Sequence, residues 1–357
     1  MTSIWGEGET EEGELQEPVP GGQGDDFFGQ EISLERLEKA IQKLQRGKAV
    51  GLDQIPGEIF KSMGDQGKNR LCREFTKILR REQPVPEAWK RVRVTMVHKG
   101  HGKPKDEIGN FRPVAVTSQE YKLFMLVVKD MMEEWLEARG VLGEMQQGFR
   151  KGRQLQDNLY ILIELMEIAR IEGRKLRAVF MDIKGAYDRV RWQDVWDRLR
   201  QLGVGEGLIQ LLINLYDGST YDFTWEDVTV AGVKCRKGVR QGCPLSPLLF
   251  ITVLSELEER VQGMPRRHGF SIRDYTGKQP GEFKIPGLFL ADDIVWLGEG
   301  NEEVGILTGE ATKFGNDKHW EFSDGKTKAM WLVGQGEPGV QVGTGTLGKQ
   351  IVTHTWG

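Results

Sequence analysis

Apolar residues recur at helical spacing near the start of the chain, where Leu34, Leu37, Ile41 and Leu44 follow Ser33, a residue suited to capping a helix. The spacing predicts a helix from Ser33 that ends near Gly47. A second helix is expected from about Gly57 and a third, amphipathic and basic, over 69–81, stopped by Pro84 and Pro86. The pattern then changes period. Val92, Val94 and Met96 alternate as in a strand leading to Lys99, and 110–116 reads as a second short strand. Helices are predicted from Tyr121 to Arg139, ended by Gly140, and from a cap at Asp157 to about Glu172. Lys175 to Asp182 is the clearest strand, and it turns through Gly185 into a helix from about Trp192. A glycine loop, Gly238 to Gly242, runs into a helix opened by Pro247, whose fixed φ suits a first turn. Two apolar runs flanking Asp292-Asp293 predict a hairpin with the acids at the bend. After it come a helix over 302–316 and a strand from Ala329 to Val333.

Charge divides the chain. Residues 1–35 carry ten acidic residues and no Lys or Arg, so the net charge of -4 leaves the remainder at +6. Residues 1–30, rich in Gly, Glu and Pro, are expected to be a disordered acidic leader. Lys68 to Lys105 holds twelve basic residues against three acidic ones, which suits a polyanionic partner and equally a solvated helix face. Cys72, Cys235 and Cys243 are too few and scattered for a disulfide framework or a zinc site. No apolar run approaches the ~20 residues of a membrane span, and no signal peptide is evident, so a soluble intracellular protein, cytoplasmic or nuclear, is expected.

The candidate chemistry lies in acids and cations at element ends. Adjacent carboxylates repel, and a divalent cation such as Mg²⁺ relieves that repulsion, although an isolated Asp-Asp is also an ordinary turn. Asp182 sits at a strand end, where a side chain can project into a cleft or merely cap a turn. Arg112 presents a planar fork of donors suited to phosphate oxygens.

The order of these segments resembles the reverse transcriptase domain of LINE-type (non-LTR) retrotransposons, from about Leu37 to the last residue. Gly47 to Pro56 looks like that family's motif upstream of the fingers, and Asn110-Phe111-Arg112-Pro113 like its second fingers motif. Phe180 to Asp188 is similar to the first palm motif, and Arg240-Gln241-Gly242-Cys243-Pro244-Leu245-Ser246-Pro247 matches the second nearly letter for letter. Ala291-Asp292-Asp293 matches the third and Lys326-Thr327-Lys328 the fourth. The chain departs from the family at Leu290, where an aromatic residue is usual, which implies altered packing beneath the site. It stops at Gly357, where a primer-grip motif would begin, so the resemblance implies a fragment without a thumb.

The resemblance implies an α+β right-hand polymerase. Fingers with part of the palm would span 31–175, and a palm of a small antiparallel sheet backed by helices would span 176–333. A Gly-rich end over 334–357 would follow. The implied activity is RNA-directed DNA polymerisation, in which a primer 3′-oxygen attacks the α-phosphorus of a dNTP on an RNA template. Asp182, Asp292 and Asp293 are the implied catalytic acids. Asp182, Asp292 and the Ile183 carbonyl would ligate two Mg²⁺ ions, for which Mn²⁺ is the natural substitute. Arg112 and, second to it, Lys99 would hold the triphosphate. Tyr187 would exclude a ribose 2′-OH, and Gln241 and Gly242 would line the nucleotide and template pocket. Lys326 would assist pyrophosphate departure, or else pair with a surface acid. Asp188 reads as structural. RNA template, DNA primer and dNTPs are the implied partners, with no membrane. A retrotransposon-derived remnant that binds nucleic acid without catalysis stays open as the rival reading.

Overall fold

Side-chain caps set three of the described helix starts. The computed structural model describes residues 27–100, 102–274, 281–336, 340–342 and 345–347. Helix α1 (Leu34–Lys43) begins where the Ser33 hydroxyl accepts from the Arg36 amide, and it buries Leu37, Ala40 and Ile41. A short turn, α2 (Glu58–Lys61), precedes α3 (Asp65–Leu79). Helix α3 starts earlier than residue 69 because its first turn is polar and gives no apolar signal. Strands β1 (Arg91–His98) and β2 (Phe111–Val116) follow, then α4 (Gln119–Ala138), capped by Ser118. Helix α5 (Leu155–Ile171) is capped by Gln154 rather than Asp157; Asp157 instead returns a bond to the Gln154 amide, completing a reciprocal capping box.

Strand β3 (Leu176–Asp182) leads through α6 (Ala186–Arg189) to α7 (Trp192–Gln201). Three further elements precede Gly238: α8 (Glu206–Tyr216), β4 (Thr220–Trp225) and β5 (Val228–Lys234). The hydropathy pattern does not announce them. Helix α8 buries Leu208, Ile209, Leu211, Leu212 and Leu215, too broad a face for a clean stripe, and β5 is exposed at nearly every residue. The chain continues through α9 (Ser246–Gln262), β6 (Phe270–Asp274), β7 (Gly281–Ile285), β8 (Gly287–Leu290), β9 (Asp293–Gly298), α10 (Asn301–Lys318) and β10 (Lys328–Val333). A small hairpin, β11 (Val340–Val342) and β12 (Gly345–Leu347), is the last described element.

These elements form two compact units, each built from two stretches of chain: Met1–Arg139 with Val190–Leu249, and Gly140–Arg189 with Phe250–Gly357. The first unit holds a mixed four-stranded sheet in the order β2-β1-β4-β5, in which β1 and β4 run parallel and the other pairs antiparallel. Val92, Val94, Ala115, Tyr221 and Phe223 form its core. Among its helices, Phe75, Trp89 and Phe124 interlock, with ring centroids 5.1–6.2 Å apart. Phe28 falls inside the span expected to be a disordered leader, yet it is buried and its ring lies 5.9 Å from Trp135. Residues 1–26 of that leader lie outside the described residues.

The second unit holds an antiparallel four-stranded sheet in the order β10-β3-β9-β8. One face packs Leu176 and Ala178 of β3 and Leu297 of β9 against Leu165 and Ala169 of α5, with Phe270 and Leu288 completing the cluster. Each leucine or phenylalanine of this cluster contributes about 1.5–3 kcal/mol when fully buried. Helix α10 buries Val304, Leu307, Ala311 and Phe314. Helices and antiparallel or mixed sheets thus bear out the α+β expectation. The three cysteines are buried and free, and among the described residues no helix is long and apolar enough to cross a membrane.

Candidate active site

The second unit gathers acids at one end of its sheet because two strands terminate there. In the β3–β9 register Asp182 stands directly opposite Asp293, while Leu290 opposite Asp293 closes the β8–β9 hairpin over Ala291 and Asp292. Directly opposed residues share a face, so two like charges meet where a sheet is ordinarily destabilised by them. The neighbouring Asp292 adds a third. Burial, followed by the charges of Asp293 and Asp182, raises the Asp292 carboxyl above its usual range. Burial and then the charge of Asp182 raise Asp293 likewise.

One cation offsets this repulsion. The Lys326 ammonium donates to both carboxylate oxygens of Asp182, at 2.8 and 3.0 Å. Lys326 is held there by a turn in which Ser323 donates its amide to the Asp182 carbonyl at 2.8 Å and accepts from the Lys326 and Thr327 amides. The turn belongs to the segment that bridges Ile183 to Phe322. Lys326 therefore pairs with Asp182, one of the implied catalytic acids. Ile183 is buried between the acid and the turn at Gly185, whose φ of +56° favours glycine.

Tyr187, on α6, lies in the same unit. Its ring stacks on Phe250 at 5.3 Å and 13°, and Phe250 stacks on Trp320 at 5.4 Å and 15°, so a rigid three-ring pile fixes its orientation. Burial, and then the charge of Asp292, push its phenol well above the ordinary value, so the ring is neutral and near that acid. A cavity of about 380 Å³ adjoins the acids, with apolar walls from Leu155, Leu159, Phe180 and Leu290 and with Asp182, Asp293 and Lys326 also lining it. Leu290, the departure from the family pattern, thus contributes to the wall of an open cavity.

The remaining candidates belong to the first unit. Arg112 is exposed on β2 opposite Val97. Lys99 donates to the Gly109 carbonyl at 2.7 Å, which closes its own loop. The Gln241 carbonyl accepts from the Ala115 amide at 2.6 Å, and Gly242 sits at φ +117°, where an added Cβ would lie 2.4 Å from the Ala115 carbonyl oxygen. Glycine is required there.

Two supporting residues escape sequence reasoning. Arg240 is buried and donates to the Leu215 carbonyl and the Ser219 hydroxyl at 2.6 Å, and to the Trp89 carbonyl at 3.3 Å. The rings of Tyr121 and Tyr216 flank its guanidinium at 5.1 Å. Gln146 is buried against the Ala291 bend. The available signal was a charged or amide residue next to a glycine loop, which local patterning does not distinguish from a solvated one.

The donor set bears on whether a cation fits. Among the described residues no three His, Cys, Asp or Glu side chains are grouped as a ready metal site, and Lys326 neutralises Asp182. The chemistry nonetheless fits a hard divalent ion: Asp182, opposite Asp293 and beside the bend that carries Asp292, contributes carboxylate oxygens of the kind such ions select. The repulsion has a consequence for stability. A carboxyl raised in the fold contributes stability that is present below its unfolded pKa and lost as pH rises through its folded one. Asp293→Asn, relieving a directly opposed pair worth about 0.2–1 kcal/mol, is expected to raise the melting temperature by about 1–4 °C near pH 7. The gain should shrink as pH falls toward about 4, and thermal unfolding at both pH values checks it.

Comparison with known proteins places this arrangement. A family model described as reverse transcriptase (RNA-dependent DNA polymerase) matches residues 102–349. The chain is 28% identical over 235 residues to a Pol polyprotein of the type-1 retrotransposable element R2 from Popillia japonica, covering 64% of this chain and 30% of that protein. A probable RNA-directed DNA polymerase from the Drosophila melanogaster transposon BS is 26% identical over 226 residues, covering 63% of this chain and 25% of that protein. One from the X-element of the same organism is 28% identical over 218 residues, covering 60% and 23%. The chain therefore spans less than a third of the length of these relatives. With a matching model over more than half its residues, and with retrotransposon proteins among its relatives, this chain belongs to the reverse transcriptase (RNA-dependent DNA polymerase) family.

Proposed function

We propose that the chain carries the fingers (31–175) and palm (176–333) of an RNA-directed DNA polymerase that joins dNTPs to a primer 3′-OH on an RNA template. The observation that carries this reading is the register that sets Asp182 opposite Asp293, with Asp292 at the adjoining bend, from strands far apart in sequence. In the reaction a bond forms between the primer oxygen and the α-phosphorus, the α–β phosphoanhydride bond breaks, and pyrophosphate leaves. Asp182, Asp292 and the Ile183 carbonyl would hold Mg²⁺ or Mn²⁺, a pair of which supplies charge stabilisation to the attacking and leaving oxygens when bound.

The chain's own groups have separable tasks. Asp293, opposite Asp182 and next to Asp292, would orient the site or touch the primer-side metal. Lys326, held on the Asp182 carboxylate, places a cation beside the acids that would stabilise negative charge developing on the departing pyrophosphate. On the first unit, Arg112 and Lys99 offer cations for triphosphate oxygens, and Gln241 and Gly242 offer backbone for nucleotide and template. Tyr187 walls the sugar side. Its ring cannot swing away without breaking the stack on Phe250. Tyr187→Ala is therefore expected to raise incorporation of rNTPs relative to dNTPs by about 10- to 100-fold. Unchanged sugar discrimination in single-nucleotide incorporation would assign Tyr187 to packing.

Primer extension on an RNA template, run beside filter binding of the same primer–template, tests the whole reading. Extension that requires dNTPs and a divalent cation is expected. Binding without extension would favour the non-catalytic remnant.

A further inference from the structure

The bend that carries Asp292 is strained by its own sequence. The β8–β9 register leaves Ala291 and Asp292 as a two-residue loop, a type of turn that prefers glycine or asparagine at positive φ. Here Ala291 occupies φ +58°, a left-handed conformation that costs an L-residue with a Cβ. Something outside the hairpin must hold it.

The structure supplies one candidate. The Gln146 side-chain oxygen accepts from the Ala291 amide at 2.8 Å, and its nitrogen donates to the Ala291 carbonyl at 3.1 Å, so one primary amide satisfies both backbone groups of the strained residue. The same oxygen accepts from the Gly148 amide at 2.7 Å. Gly148 lets the loop approach: an added Cβ would lie 2.3 Å from the Ala291 nitrogen. The loop itself is anchored. Phe289 exchanges backbone bonds with Met145 and Gln147 at 2.8 and 3.0 Å, and Glu258 accepts from the Met145 amide at 2.9 Å. Gln146 is 3% exposed, so water cannot replace it cheaply.

We infer that Gln146 is a positioning residue that holds Ala291 in its left-handed conformation and thereby aims Asp292 and Asp293. The assignment rests on the reading of those two acids as catalytic. An amide suits the task better than a carboxylate. Glutamate would keep the acceptor but lose the donor to the Ala291 carbonyl, and it would add negative charge close to Asp292 and Asp293.

The test compares Asp292→Asn, Gln146→Leu, Gln146→Glu and Gln146→Leu with Ala291→Gly, all in the full chain. Gln146→Leu is expected to lower kcat for single-nucleotide incorporation about 10²-fold with little change in the KM for dNTP. Hydrogen exchange of the Ala291 amide should accelerate about tenfold. Adding Ala291→Gly should recover about tenfold in kcat, because glycine enters the left-handed region without strain. A general packing role for Gln146 would show no such rescue. Gln146→Glu, which keeps the side-chain volume if the leucine variant fails to fold, should also lower kcat with little change in the KM for dNTP, because it loses the donor to the Ala291 carbonyl. Retained kcat in the Gln146 variants, with Asp292→Asn inactive, would overturn the positioning role alone. Full activity of Asp292→Asn would overturn the underlying site reading instead.

Discussion

Asp292→Asn, like Asp182→Asn, is expected to lower template-directed incorporation by about 10³-fold or more while the chain stays folded. Asparagine keeps the volume and one acceptor oxygen but removes the charge that would recruit a divalent cation. Loss of several kcal/mol of transition-state charge stabilisation corresponds to at least about three orders of magnitude in rate. The fold should not suffer, because burial and neighbouring charges already disfavour the ionised Asp292. Above the ordinary carboxyl range the variant should melt no lower than the parent. Single-nucleotide incorporation and thermal unfolding, measured on one preparation, separate the two effects. Activity within tenfold of the parent would remove Asp292 from the chemistry. A collapsed melting transition would show that the residue serves the fold.

Arg240→Met should act in the opposite way, through the fold. The guanidinium is buried and gives its donors to the Leu215 and Trp89 carbonyls, the Ser219 hydroxyl and the Tyr221 hydroxyl. Methionine fills much of the space but removes these donors; the Leu215 carbonyl keeps its bond from the Ser219 hydroxyl, and each group left unsatisfied costs about 1–3 kcal/mol. A total loss of about 3–5 kcal/mol is expected, visible as a lowered urea midpoint. Arg240→Lys should recover part of it, since an ammonium brings three donors but not the planar fork. The neighbouring Gln241 carbonyl holds the Ala115 amide at 2.6 Å, so nucleotide binding should weaken together with stability. A midpoint change equivalent to less than about 0.5 kcal/mol, the range of ordinary surface substitutions, would contradict this role.

The contrast between these residues explains what the chain disclosed in advance. The Asp292-Asp293 bend was legible because two apolar runs of strand period flank it, and the β8–β9 register places the acids at and beside the turn. Ser33 was legible as a cap because capping is local. Asp182 was legible as a strand end, but its opposition to Asp293 and its pairing with Lys326, 144 residues away, were not. Register between distant strands leaves no trace in local periodicity. The same holds for the parallel pairing of Arg91 with Thr220 and for the bond from Gln146 to Ala291 across 145 residues. Phe28 shows the reverse error. Phe28, next to Phe27 at the end of a Gly- and Glu-rich stretch, found a site against Trp135 that average composition could not foretell.

Titration of the chain with Mn²⁺, followed by the electron paramagnetic resonance signal of the free ion, tests the claim at the centre of this account. The parent should deplete free Mn²⁺, and Asp182→Asn and Asp292→Asn should each weaken that binding by about tenfold or more, as loss of a charged ligand requires. Equal depletion by the parent and both variants, or none by the parent, would contradict it.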